Sequence, residues 1–297
     1  MASKQKILAI GGLITGSLVW GVVWYPYRAL DEAGVSGVLA AFISYTFALL
    51  AGLFFTGAVW RELRHAGWWG IALMVSAGGA NVGYVLAVLN GEVMRVLLLF
   101  YLAPLWTVIL SRWLLGEKLN HYGYAVVTLS LTGAFTMLWQ QDHGLPIPQS
   151  NAEWMALGAG MCFAWLNVTV RRTQHLSVNF KAASVWLGTV ALTAPALLYM
   201  GGVGAQLQSI AIETWLLLAL VGIVLGATSF VVQYGVTHLP ANQAILLLLS
   251  ELVFAAIAAF LLAGEEMTLR EYIGAAFIIS ASLMSGKVYS ETKERLN

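Results

Sequence analysis

The sequence predicts an all-α integral membrane protein: ten transmembrane helices arranged as two inverted five-helix repeats, with both termini cytoplasmic. Composition, the placement of basic residues and an internal near-repetition lead to this class. Of 297 residues, 60% are apolar and only 10% charged, against roughly 25% charged in a soluble domain. At about 20 apolar residues per crossing helix, the chain accommodates at most about a dozen spans and no sizeable extramembrane domain. A net charge of +1 supplies no charged tail, so nucleic acid and polybasic lipid anchoring find no support.

Lys4 and Lys6 precede an apolar stretch running to about Tyr27. It lacks a clear small-residue cleavage site and is read as a retained first helix. Apolar runs between polar breaks place helices at about 7–27, 35–59, 67–89, 94–115 and 122–140, and again at about 153–170, 181–200, 213–236, 242–262 and 271–286. The longest polar stretch, Gln140 to Asn151 with Pro146 and Pro148, divides five helices from five. The expected organisation is a first repeat over 1–140, an extracytoplasmic linker over 141–152 and a second repeat over 153–297. With the N-terminus inside, twelve Lys and Arg residues fall on the cytoplasmic side and only Arg28, Arg95 and Arg270 outside. That bias calls for an even number of spans.

Five helices per half means that the halves enter the membrane from opposite sides. Three ordered matches support a repeat. Leu114-Leu115-Gly116-Glu117-Lys118 recurs as Leu262-Ala263-Gly264-Glu265-Glu266; Tyr124 and Tyr272 each follow eight residues after the Gly; and Trp20 recurs as Trp165.

The run Tyr101-Leu102-Ala103-Pro104-Leu105-Trp106 leading into Leu114 to Leu119, with Leu249 to Glu265 as its second copy, resembles the end of the EamA repeat. The chain as a whole resembles EamA-type members of the drug/metabolite transporter superfamily, across all ten helices. The resemblance implies an alternating-access carrier in a bacterial plasma membrane, usually an exporter of amino acids or other small metabolites. It implies a central cavity lined by the first, third, fourth, sixth, eighth and ninth helices. Leu252 stands where the second copy normally carries a proline, matching Pro104 in the first, so the residues give no reason to expect a kink in the ninth helix.

Glu251 is the sharpest feature, a carboxyl about ten residues into an apolar helix. An ionised group at that depth costs roughly 3 kcal/mol or more, so it must face a cavity, be protonated or be paired. The functional reading is proton coupling or recognition of a cation; the bland one is a structural interhelical hydrogen bond. Trp20 and Trp24, four apart on the first helix, and Trp165 in the sixth are candidate cavity walls, since indole faces hold aromatic rings and ammonium groups. Most other Trp residues fall at helix ends as interface anchors. Asn81 and Tyr84, Tyr101, Asn167, Ser229, Gln233 and Tyr234 are polar positions inside helices. They can hold a substrate or merely join helices. Glu92 and Arg95, three apart at the outer start of the fourth helix, are gate candidates or a solvated helix-end pair. Gly116-Glu117 and Gly264-Glu265 read as fold signatures.

No GxxxxGK[ST] phosphate loop occurs. The five His residues lack ligand spacing and Cys162 is the single cysteine, so no cofactor or metal is expected. The expectation is a non-enzymatic secondary transporter of a small amino acid or amine, working as a monomer in the bilayer, with protons coupled through Glu251. The alternatives are an uncoupled facilitator, an efflux system for cationic or aromatic toxic compounds, and a non-transporting scaffold.

Overall fold

The computed structural model describes residues 2–53, 59–91, 93–139, 147–264 and 267–285. Among them there are helices and no strands. The first expected helix forms as α1 (Ala2–Val22) and α2 (Trp24–Glu32). Pro26 explains the interruption, because it has no N–H to close on the Val22 carbonyl. α3 (Gly37–Leu53) follows, then α4 (Val59–Asn90). Gly67 divides α4 in a left-handed conformation (φ 52°), so the third expected helix starts where the sequence placed it. The fourth is split into α5 (Val93–Phe100) and α6 (Ala103–Leu114), and α7 (His121–Leu138) is the fifth.

The second half begins with α8 (Asn151–Arg172) and α9 (Val178–Met200), followed by the short α10 (Val203–Ser209) and α11 (Ile212–His238). The ninth expected helix is again split, into α12 (Ala241–Leu248) and α13 (Glu251–Ala263), and α14 (Leu269–Ser285) is the last. The starts of α7, α8 and α9 are capped by side chains: Asn120 accepts from the Gly123 N–H at 2.7 Å, Ser150 from Glu153 at 3.3 Å and Ser177 from Phe180 at 3.1 Å. Gly116 and Gly264 follow the ends of α6 and α13 with φ 68° and 69°. The two Gly-Glu signatures are thus the same left-handed stop. Among the described residues, six helical runs are long and apolar enough to cross a membrane: Lys4–Glu32, His65–Val88, Arg95–Leu114, Val178–Met200, Ile212–His238 and Ala241–Ala263.

Packing repeats when the halves are exchanged. α4 packs on α8 and α1 on α11; α4 also packs on α9 and α3 on α11; α5 and α6 lie on α8 as α12 and α13 lie on α1. Two further partnerships, α3 with α9 and α7 with α14, each join equivalent helices. The largest core cluster, with Leu13, Leu73, Phe180, Trp186, Val232 and Leu247, draws on both halves. Neither half can bury its apolar surface without the other.

Candidate functional site

The site grows from the two split helices. At the α5/α6 junction the Leu102 N–H turns back to the Leu99 carbonyl at 3.3 Å, a three-residue step that tightens the helix. Pro104 lies in the first turn of α6 and has no N–H for the Phe100 carbonyl. Gly160 of α8 sits against that carbonyl, and a Cβ there would collide with its oxygen. The close approach therefore requires glycine.

The α12/α13 junction corrects the expectation of an unkinked ninth helix. The helix breaks at Leu249 and Ser250 without a proline. The Ser250 N–H turns back to the Leu247 carbonyl at 3.1 Å, and Leu252 N–H to Leu249 at 3.2 Å. The Ser250 hydroxyl donates to Leu247 O at 2.6 Å, and Ser17 of α1 reaches Leu247 O and Leu248 O, each at 3.3 Å. Hydroxyls thus satisfy carbonyls that a continuous helix would have occupied. Gly21 admits the α13 backbone, since a Cβ there would stand 2.7 Å from Phe254 Cβ and 2.9 Å from the Glu251 carbonyl oxygen.

These junctions bring Tyr101 and Glu251 together, one from each half, with side chains in hydrogen-bonding reach and Tyr84 close to Glu251. Glu251 is not embedded in a continuous helix as the sequence suggested. It is the first residue of α13, just past the tightened turn at Leu249 and Ser250. An aromatic chain leads to it. Trp20 meets Phe163 edge-on at 6.0 Å, Phe163 stacks on Phe100 at 5.6 Å, and Phe100 meets Tyr84 at 5.1 Å and Tyr101 at 5.3 Å. The arrangement offers π faces and one acidic group, the complement of a cation.

Other expected site residues lie elsewhere. Trp165 packs with Leu110, Val168 and Trp106 at the α6–α8 contact, away from the Trp20 chain. The depth read from the sequence suits Phe163, two residues earlier on another face of α8. Trp24 lies beyond the α1/α2 interruption and meets the exposed Tyr25 edge-on at 5.7 Å. Asn81 accepts from the Tyr45 hydroxyl at 3.2 Å and donates to Ala77 O, joining α4 to α3. Gln233 is buried on α11, and its side-chain oxygen has no hydrogen-bond partner among the described residues. Glu92 lies outside the described residues. Arg95 pairs with Glu153 of α8 at 2.8 Å and donates to the Ile147 carbonyl at 2.6 Å.

Sequence reasoning missed Phe100, Phe163, Ser17 and Ser250, and passed over Glu117 as a fold signature. Glu117 pairs with Arg171 at 3.7 Å and accepts from the Ala241 N–H at the start of α12. Burial raises the Glu117 carboxyl above its ordinary range, and Arg171 and the backbone N–H groups of Ala241 and Asn242 pull it back. Arg171 donates to Thr237 O at 2.8 Å, and Lys181 to the Thr237 hydroxyl at 3.1 Å. Helices α5, α6 and α8 are therefore held together by ion pairs at both ends. The recurrence of Gly-Glu was a signal for Glu117; nothing local marked Arg95 with Glu153.

A model of the EamA-like transporter family matches residues 7–139 and again residues 150–286. The chain is similar to an uncharacterized transporter of Archaeoglobus fulgidus, with 27% identity over 208 residues that cover 68% of this chain and 70% of that protein. It is also similar to an uncharacterized transporter of Pseudomonas aeruginosa (25% identity; 59% and 58% of the two chains) and to Protein RarD of Salmonella typhi (21%; 64% and 65%). A solved crystal structure shares the fold, with a TM-score of 0.73 at 18% identity over 93% of this chain and 96% of the other.

Proposed function

The chain belongs to the EamA-like transporter family, and we propose that it is a secondary active exporter of amino acids or related amines, working by alternating access around Tyr101 and Glu251. It is a multi-pass membrane transporter. Ten crossing helices as inverted repeats, cytoplasmic termini and a bacterial plasma membrane complete the reading, with one chain forming the whole cavity as a monomer. The observation that carries it is the meeting of two helix breaks at one carboxyl. Split helices put polar groups and helix ends at mid-membrane, where carriers bind their cargo.

A substrate ammonium sits against Glu251 and the faces of Phe100, Phe163 and Trp20, each cation–π contact contributing about 0.5–2 kcal/mol. Tyr101 donates to the carboxylate and keeps it oriented. A proton on Glu251 removes the charge that holds the ammonium, so proton and substrate compete for one group. The runner-up is an uncoupled facilitator, favoured by the hydroxyl partner that Tyr101 already gives Glu251. Efflux of cationic or aromatic toxic compounds would use the same π surfaces.

The test is the melting temperature of the detergent-purified protein against amino acids, amines and carboxylates, because a ligand of the folded state raises it by mass action. The expected result is a shift with an amine-bearing compound that Glu251→Gln and Phe163→Ala abolish and Trp165→Ala leaves intact. A shift with carboxylates alone, or one indifferent to Glu251→Gln, would overturn the assignment.

A further inference from the structure

Helices α6 and α7 are consecutive, but each makes its main contacts elsewhere: α6 packs on α8 and α12, α7 on α14. A surface groove is left between them. Its end near the α6 terminus is a cavity of about 540 Å³ lined by Val108, Ile109, Arg112, Trp113 and Tyr124. Its inner part is a cavity of about 310 Å³ whose walls include Leu105, Thr128, Leu131 and Tyr101. The lining residues of the two cavities fall on the same faces of both helices, so they form one track. From Arg112 to Tyr101 is eleven residues, or about 16 Å along a helix, close to one leaflet of a ~30 Å hydrocarbon core.

We propose that this track binds an anionic phospholipid, with its phosphate on Arg112 and one acyl chain lying along Leu105 and Leu131 towards Tyr101. Arg112 is exposed in the last turn of α6 and has no ion-pair partner among the described residues. A guanidinium there takes phosphate oxygens in a bidentate fashion and, lacking a carboxylate neighbour, favours a ligand of net negative charge. Trp113 is 73% exposed and Tyr124 45%, and both are residues that settle at headgroup depth. Below them the walls are mainly apolar, with Leu98, Leu102, Leu105, Leu131 and Phe135 outnumbering Thr128 and Thr132, as an acyl chain requires. A soluble phosphate compound would gain nothing from that lower track. The assignment stands apart from the transport reading, because it needs neither Glu251 nor a substrate. It does place the end of a lipid chain beside Tyr101, at one of the two helix breaks.

The test is native mass spectrometry of the full-length, delipidated protein, titrated with phosphatidylglycerol, phosphatidylethanolamine or glycerol 3-phosphate. One phosphatidylglycerol per chain is expected to be retained, about tenfold more tightly than phosphatidylethanolamine, as one charge-assisted contact of about 1.4 kcal/mol gives. Glycerol 3-phosphate should not be retained. Arg112→Gln should bring phosphatidylglycerol down to the phosphatidylethanolamine level, while Arg112→Lys keeps part of the preference. Leu105→Trp, which fills the track and leaves the cation, should weaken both lipids, with an unchanged helical circular dichroism spectrum showing that the variant folds. Equal binding of the two lipids, full retention in Arg112→Gln, or binding of glycerol 3-phosphate as tight as that of lipid would overturn the proposal. So would a transported solute whose flux is lost in Leu105→Trp while lipid binding is untouched, since the track would then be a substrate route.

Discussion

The seam of α5 and α6 with α8 and the seam of α1 with α12 and α13 are one arrangement built with two chemistries. In each, a split helix of one half lies on the first helix of the other, and glycine lets the backbones meet. The first split is written in covalent structure by Pro104 and is locked by the Arg95 and Glu153 pair near one end and the Glu117 and Arg171 pair near the other. The second has no proline and is held at its break by the hydroxyls of Ser17 and Ser250. A buried ion pair such as Arg95 with Glu153 resists separation strongly, and the partly buried Glu117 and Arg171 pair adds to it, whereas a hydroxyl-to-carbonyl bond in a membrane contributes about 0.6 kcal/mol. A carrier that rocks needs one contact that holds and one that yields, and Glu251 sits on the side that yields.

The largest stability loss that sharpens this contrast is expected from Glu153→Ala. It removes the Glu153 carboxylate from the buried Arg95 guanidinium and should cost about 3–5 kcal/mol, read as a fall in the thermal midpoint in detergent. Proline scanning comes next. Ala258→Pro, in the body of α13, should cost about 3 kcal/mol or more, while Leu252→Pro, in its first turn, gives up only the tightened bond to the Leu249 carbonyl and part of a buried side chain and should cost less. If Leu252→Pro proved as damaging as Ala258→Pro, the break would not be the resting state of the ninth helix. For transport, Glu251→Gln should reduce amine flux in proteoliposomes by at least about tenfold, the loss of one charge-assisted contact of about 1.5–3 kcal/mol. Glu251→Asp should lose less. The smallest effect on stability is expected for Ser17→Ala, about 0.6 kcal/mol, accompanied by faster hydrogen exchange of the backbone around Leu248 to Val253 than around Leu99 to Leu105.

Much of this was legible in the chain itself. The helices follow from apolar runs, the halves from Gly116-Glu117 against Gly264-Glu265, and the central carboxyl from the cost of placing Glu251 in a bilayer. The break before Glu251 was not legible, because it is completed by Ser17, more than two hundred residues away. Trp165 illustrates a second limit. Sequence position gives its depth along α8, but the face it presents is set by which helices pack around it, and that packing selects Phe163 for the aromatic chain. Arg95 shows a third, since its pairing with Glu153 joins α5 to the start of the other half, a contact that sequence separation conceals.

The most direct measurement is the distance across each seam by pulsed electron paramagnetic resonance in nanodiscs, after Cys162→Ala. Spin labels would replace the exposed pairs Leu18 with Ile257, for α1 and α13, and Ile109 with Met161, for α6 and α8. The expected result is a broad or two-component distribution for the first pair that shifts when pH or a bound amine changes, beside a single narrow, unchanging distance for the second. Equal widths, or a shift confined to the ion-paired seam, would contradict the assignment of motion to the side that carries Glu251.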